Sequence, residues 1–132
     1  MKSMPRLELS DARRIAAHAI GHAEEIGVAV SVIIVNECGF PVYLERLDGA
    51  AFQTPDVARG KALTSVMMRK PSKDIEDAAL ARPTLAQFSD GRLPIQGGVP
   101  LFSGEYCLGA VGVSGGTPEQ DEAIAYAGAA SL

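Results

Sequence analysis

The chain has 132 residues, of which 47% are hydrophobic and 21% charged, and a formal net charge of −4; these values suit one globular domain and exclude a disordered chain. The acidic balance excludes a broad basic surface of the kind that binds nucleic acid, and no apolar run approaches the roughly 20 residues of a membrane span. The N-terminal MKSMPRLELS holds no apolar signal segment, and the only cysteines are Cys38 and Cys107, so the expectation is a reduced, cytoplasmic protein formed by residues 1–132 as a single domain.

Ser10 is the predicted N-cap of a helix from Asp11 to about Ile26, which Gly27 is placed to end. Ala12, Ile15, Ala19, His22 and Ile26 recur at helical spacing and form one predicted buried stripe, flanked by Ala16 and Ala23. The β-branched run from Val28 to Val35 predicts a strand, Asn36-Glu-Cys-Gly39 a turn, and Pro41 to Arg46 the returning strand of a hairpin. Thr54-Pro55-Asp56, with Thr54 the predicted cap before a proline, opens a second helix through Ala58, Ala62 and Ser65 to about Arg69, stopped by Pro71. Ser72 is the predicted cap of a short helix closed by Pro83, and Phe88 to Pro94 reads as an irregular connection. A second hairpin runs from Val99 to Phe102, turns at Ser103-Gly104-Glu105 and returns from Tyr106 to Val113. Thr117, Pro118 and Gln120 supply the N-cap, the N1 proline and the capping-box partner of a last helix. Hairpins separated by helices predict an α+β fold, a central mostly antiparallel sheet of two hairpins with helices packed around it.

Directly before the last helix stands Ser114-Gly115-Gly116. These glycines permit a strand-to-helix corner, and they also let Ser114, Gly115, Gly116 and Thr117 approach a carboxylate or phosphate at the helix N-terminus, with Glu119 nearby. The spacing is not G-x-G-x-x-G and follows a hairpin instead of a βαβ unit, which excludes a dinucleotide site. His18 and His22 are the only histidines; four residues apart, they share a helix face. Two imidazoles with no third ligand do not make a zinc cage. They leave one axial bond to a planar cofactor, acid–base work or a structural role. Arg46 and Asp48, two residues apart at the end of the first hairpin, can face one side and hold an anion or pair with each other. Lys61, the only lysine within the second helix, is either solvated or a cation near the same pocket. No Ser-His-Asp or Cys-His arrangement names a nucleophile.

GGVPLFSGEYCLGAVGVSGGTPEQDEAIA (Gly97 to Ala125), YLERLDGA (Tyr43 to Ala50), GKALTS (Gly60 to Ser65), the first helix and GVAVSVIIVN (Gly27 to Asn36) together resemble the GlcG/HbpS-like family. That family includes the C-terminal domain of PduO-type proteins. The resemblance covers nearly the whole chain. It implies a compact α+β domain, symmetric homo-oligomers, and haem as the cofactor of several members, with links to haem degradation, iron or redox roles. It also implies that a histidine of the N-terminal helix ligates haem iron, with His18 or His22 the candidate here; the accompanying expectation puts His18 on the iron and cationic residues such as Arg46 or Lys61 near the propionates. The chain departs from the family pattern at Asn36-Glu-Cys-Gly39, where D-A-G-G is common, and at the helix end Val66-Met-Met-Arg69-Lys70.

The leading expectation is therefore a haem-binding protein linked to haem or iron handling. Because relatives are encoded among genes for glycolate, propanediol or aromatic catabolism, the resemblance also allows an enzyme acting on a small carboxylate. In that alternative the Ser114 to Thr117 corner holds the substrate and a histidine, Asp48 or Glu119 moves a proton. A non-catalytic oligomeric accessory domain is the third reading. In PduO-type proteins the adenosyltransferase activity resides in a separate domain, for which this chain has no room.

Overall fold

The computed structural model describes all residues from Met1 to Leu132. Helix α1 spans Leu9–Glu25 and starts two residues earlier than predicted. The reason is local: the Asp11 carboxylate reaches back to accept the Glu8 N–H at 2.9 Å, the back-bond of a capping box with Glu8 as N-cap, which leaves Ser10 inside the first turn. The helix ends as predicted at Gly27, whose φ is 72°. Gly27 and Val28 donate their N–H groups back to the carbonyls of Glu24 and Ala23, a closure that needs left-handed backbone. Val28 is thereby committed to the helix end, and the first strand, β1, begins later than predicted and spans Ser31–Asn36.

Strand β2, Pro41–Arg46, returns from a turn that Asn36 organises by accepting the N–H groups of Cys38 and Phe40, both at 3.0 Å. Helix α2, Thr54–Met68, and helix α3, Ser72–Ala81, follow. Neither Thr54 nor Ser72 caps its helix. The Thr54 hydroxyl lies 2.8 Å from Ser31 Oγ on β1 and donates to the Ala51 carbonyl. Ser72 Oγ donates to the Ile95 carbonyl at 2.6 Å and accepts the Gly98 N–H at 2.8 Å. Both hydroxyls thus tie a helix start to a distant segment. A 3-10 turn at Pro83–Ala86 leads to the irregular connection, and then come β3, Gly98–Ser103, β4, Tyr106–Ser114, and helix α4, Pro118–Ala129. At the start of α4 the predicted capping box is present, with Thr117 Oγ1 accepting the Gln120 N–H and Gln120 Oε1 accepting the Thr117 N–H.

The four strands form one sheet in the order β2-β1-β4-β3, each pair antiparallel, so the α+β expectation is met. Pairing of β1 with β4 joins the two hairpins. Alternation along the strands then divides the core. Val32, Ile34, Val111 and Val113 pack with Ile15 and Ala19 of α1 and Ile124 of α4, whereas Ile33, Val35 and Ala110 face Ala58, Ala62 and Val66 of α2. On the α2 side the backbones themselves come close. A side chain at Gly112 would run into the Ala58 carbonyl, and one at Gly98 into the Lys61 carbonyl.

Gly112→Ala is expected to lower stability by about 1–3 kcal/mol by forcing α2 off the sheet. Gly21→Ala, a helical position where a new Cβ meets nothing within 4 Å, is expected to raise it by about 0.5–1 kcal/mol. Urea denaturation of the two variants measures both effects.

Candidate functional site

The corner before α4 has a required glycine. Gly115 has φ 140°, and a side chain there would strike the Ala29 carbonyl. The donors behind it have partners within the chain. Gly116 donates its N–H to Asp121 Oδ1 at 2.8 Å, and Thr117 donates to Gln120 Oε1 at 3.0 Å. Ser114 is buried at the end of β4 and Glu119 is exposed. The negative charge that a helix N-terminus favours is here the chain's own Asp121. Of the corner expected to hold an external carboxylate or phosphate at Ser114, Gly115, Gly116 and Thr117, the Gly116 and Thr117 N–H groups are engaged within the chain.

Lys61 is a correction. It is neither solvated nor placed beside a surface pocket, since its side chain and that of Asp121 are each only 3% exposed. Lys61 Nζ donates to Asp121 Oδ2 and to the Val113 carbonyl, each at 2.9 Å. Both Asp121 oxygens are therefore used, one by the ammonium and one by Gly116. A buried ion pair requires this kind of saturation, because each charge taken out of water leaves a large desolvation cost to offset. The signal for burial was present in the sequence: Lys61 falls on the same stripe as Ala58, Ala62 and Ser65. Its partner, 60 residues away on another helix, carried no comparable signal.

On the opposite side of the sheet, the buried face of α1 consists of Ala12, Ile15, Ala16, Ala19, Ile20 and Ala23. His22 lies at its border and Ile26 is exposed, so the predicted stripe is narrower than expected. His18 and His22 open instead onto a surface groove of about 380 Å³, with Ala17, Gly21, Glu25 and Ala127 of α4 completing its lining. His22 Nδ1 stands 3.7 Å from Glu25 Oε2. His18 is exposed, and its imidazole has no hydrogen-bond or ion-pair partner within the chain. One helical turn before it is Arg14, a cation the sequence reading passed over although its i−4 spacing from His18 places it on the same face. Arg14 Nε donates to the Ser131 carbonyl at 3.1 Å and Nη2 to Asp11 at 3.3 Å.

The remaining candidates lie elsewhere. Arg46 pairs across β2 and β1 with Ser31, which faces α2, so Arg46 is on the sheet face away from the histidines; its guanidinium sits 5.4 Å from the Phe52 ring centroid. Asp48 is exposed in the following turn and makes no ion pair with Arg46. The structure thus brings His18 and His22 together and separates both from Arg46, Lys61 and Asp48. No group of three His, Cys, Asp or Glu residues is arranged to hold a metal ion, both cysteines are free thiols, and no helix is long and apolar enough to cross a membrane.

Residues 7–130 match the family model described as haem degrading protein HbpS-like. Among solved structures, the chain is similar to a double mutant of HbpS from Streptomyces reticuli, with 33% identity and a TM-score of 0.93 over 100% of this chain and 90% of that one. It is also similar to PduOC in a complex with haem, with 25% identity and a TM-score of 0.90 over 97% of this chain and 96% of that one. The corrinoid adenosyltransferase PduO of Salmonella typhimurium is 29% identical over 96% of this chain, which spans only 39% of PduO's length.

Lys61→Met leaves Asp121 as an uncompensated buried charge and is expected to cost about 3–5 kcal/mol. The double variant Lys61→Met/Asp121→Leu should recover part of that loss but not all, because the Gly116 N–H and the Val113 carbonyl lose their partners. Comparing the three proteins by urea unfolding reads out both steps.

Proposed function

The chain belongs to the HbpS-like family of haem-degrading proteins, and from that premise we propose that it binds haem on α1, with His18 as the residue that would hold the iron. The observation that carries this reading is the haem complex of PduOC, a relative similar over 97% of the chain, taken with the groove in which His18 and His22 stand. The residues of that groove fit a planar macrocycle. Ala17, Gly21 and Ala127 leave it without bulky side chains, and the helical Gly21 has no packing neighbour that demands a glycine. Mid-helix glycine costs stability, so a ligand lying close to the backbone supplies the reason for it.

The His18 imidazole has nothing to give up on binding, whereas His22 is held toward Glu25. Arg14 takes the part first assigned to Arg46 and Lys61: it lies on the His18 face, and a propionate would compete only with Asp11 and a carbonyl for its donors. Haem supplies a redox-active iron when bound, and this assignment is the basis for a role in haem or iron handling.

Titration of the purified protein with haem, followed by absorption spectroscopy, is expected to give a saturable Soret shift. His18→Ala should weaken binding at least tenfold, which is about 1.4 kcal/mol, and change the position of the band, while His22→Ala keeps the wild-type spectrum. Gly21→Leu should block binding with the fold intact. A flat titration, or binding indifferent to both histidine substitutions, would show the proposal to be wrong.

A further inference from the structure

Between the C-terminal end of α2, α3 and the connection returning to β3 lies a cavity of about 260 Å³, with Met68, Ile75, Ala78, Leu85 and Phe88 in its wall. Of residues 72–94, only Ser72 is buried, so this excursion folds over α2 without a packed core of its own. Its return is pinned at two points: Leu93 donates its N–H to the Gly60 carbonyl at 3.0 Å, and Thr64 Oγ1 lies 2.9 Å from the Leu93 carbonyl. Backbone anchoring therefore holds the apolar walls apart where side chains do not fill the space.

Three charged residues join the wall. Lys70 and Asp74 are exposed to water, while Arg92 has a side chain only 18% exposed. The charge least free to be solvated is thus a cation. Its guanidinium lies 3.8 Å from the centroid of the Phe88 ring, and Nε donates to Asp90 Oδ2 at 2.7 Å, a hydrogen bond that holds the Asp90 carboxyl below its usual range. The Nη1 group has only the Met68 thioether, at 3.7 Å, a weak acceptor for a charged donor. A guanidinium edge in this position matches a carboxylate. Lys70, which has no ion-pair partner, adds a second cation beside it. The volume lies just below the roughly 300–1,000 Å³ of drug-sized ligand pockets, which suits a ligand much smaller than a porphyrin.

We propose that this cavity binds a small organic monocarboxylate, its apolar tail among Ile75, Leu85 and Phe88 and its carboxylate on the Nη edge of Arg92 with Lys70 beside it. The site is separate from the haem groove, since α1 and α2 cover opposite faces of the sheet, and it stands whether or not haem binds.

Calorimetric titration of the full chain with hexanoate and benzoate, and with hexylamine and benzyl alcohol as cationic and neutral probes, tests this assignment. The expected result is saturable binding of at least one carboxylate and of neither control. Ala78→Leu, which fills the cavity, and Lys70→Gln with Arg92→Gln, which remove its cations, should each weaken that binding about tenfold or more, at least about 1.4 kcal/mol, with haem binding unchanged. If Arg92→Gln lowers the melting temperature, Ala78→Leu and Lys70→Gln alone decide. No binding of either carboxylate, equal binding of the amine or alcohol, carboxylate binding that survives Ala78→Leu, or loss of haem binding in Ala78→Leu would each overturn the proposal.

Discussion

A lysine and an aspartate, both removed from water, hold the layers of this protein to the end of one strand. Lys61 comes from α2 on one face of the sheet, Asp121 from the first turn of α4 on the other, and they meet beside the Val113 carbonyl, one residue before β4 ends. The arrangement is stable only if each charge finds a full set of partners, and that requirement propagates outward. Asp121 can be saturated only if Gly116 turns its N–H inward. The ammonium has room only because Gly97 carries no side chain, and α2 is close enough only because Gly98 and Gly112 let backbone meet backbone.

The same pair shapes the glycine corner. A glycine corner before a helix is a ready anion site, and here the internal Asp121 carboxylate accepts its Gly116 N–H. Lys61 is withdrawn from any ligand. Two accessible places are divided by the sheet: a groove of imidazoles and small residues outside α1, and an apolar cavity with a partly buried guanidinium at the end of α2. A planar metal-bearing cofactor suits the first and a small anion the second.

Much of the architecture was legible locally. Gly27, the Thr117 and Gln120 box, and the hairpin residues Pro41 and Gly104 each act through neighbours a few positions away, and there the reading and the structure agree to within a few residues. Ser10 is not the cap because the box between Glu8 and Asp11 starts the helix two residues earlier, and Thr54 and Ser72 are not caps because their hydroxyls are taken by other groups of the chain. The site was half legible: the four-residue spacing of His18 and His22 placed them on one face correctly, while Arg46 and Lys61 were grouped with them on charge alone.

By itself, the sequence determined the elements, the antiparallel α+β plan and the shared face of the two histidines, because periodicity, turn chemistry and helix spacing are properties of short stretches of chain. Only the tertiary structure decided which cation is buried, which anion fills the helix start and which polar groups share a surface. Those outcomes depend on desolvation and on partners 60 residues apart, such as Lys61 and Asp121, and neither is defined until the sheet has brought its two faces of helices into place.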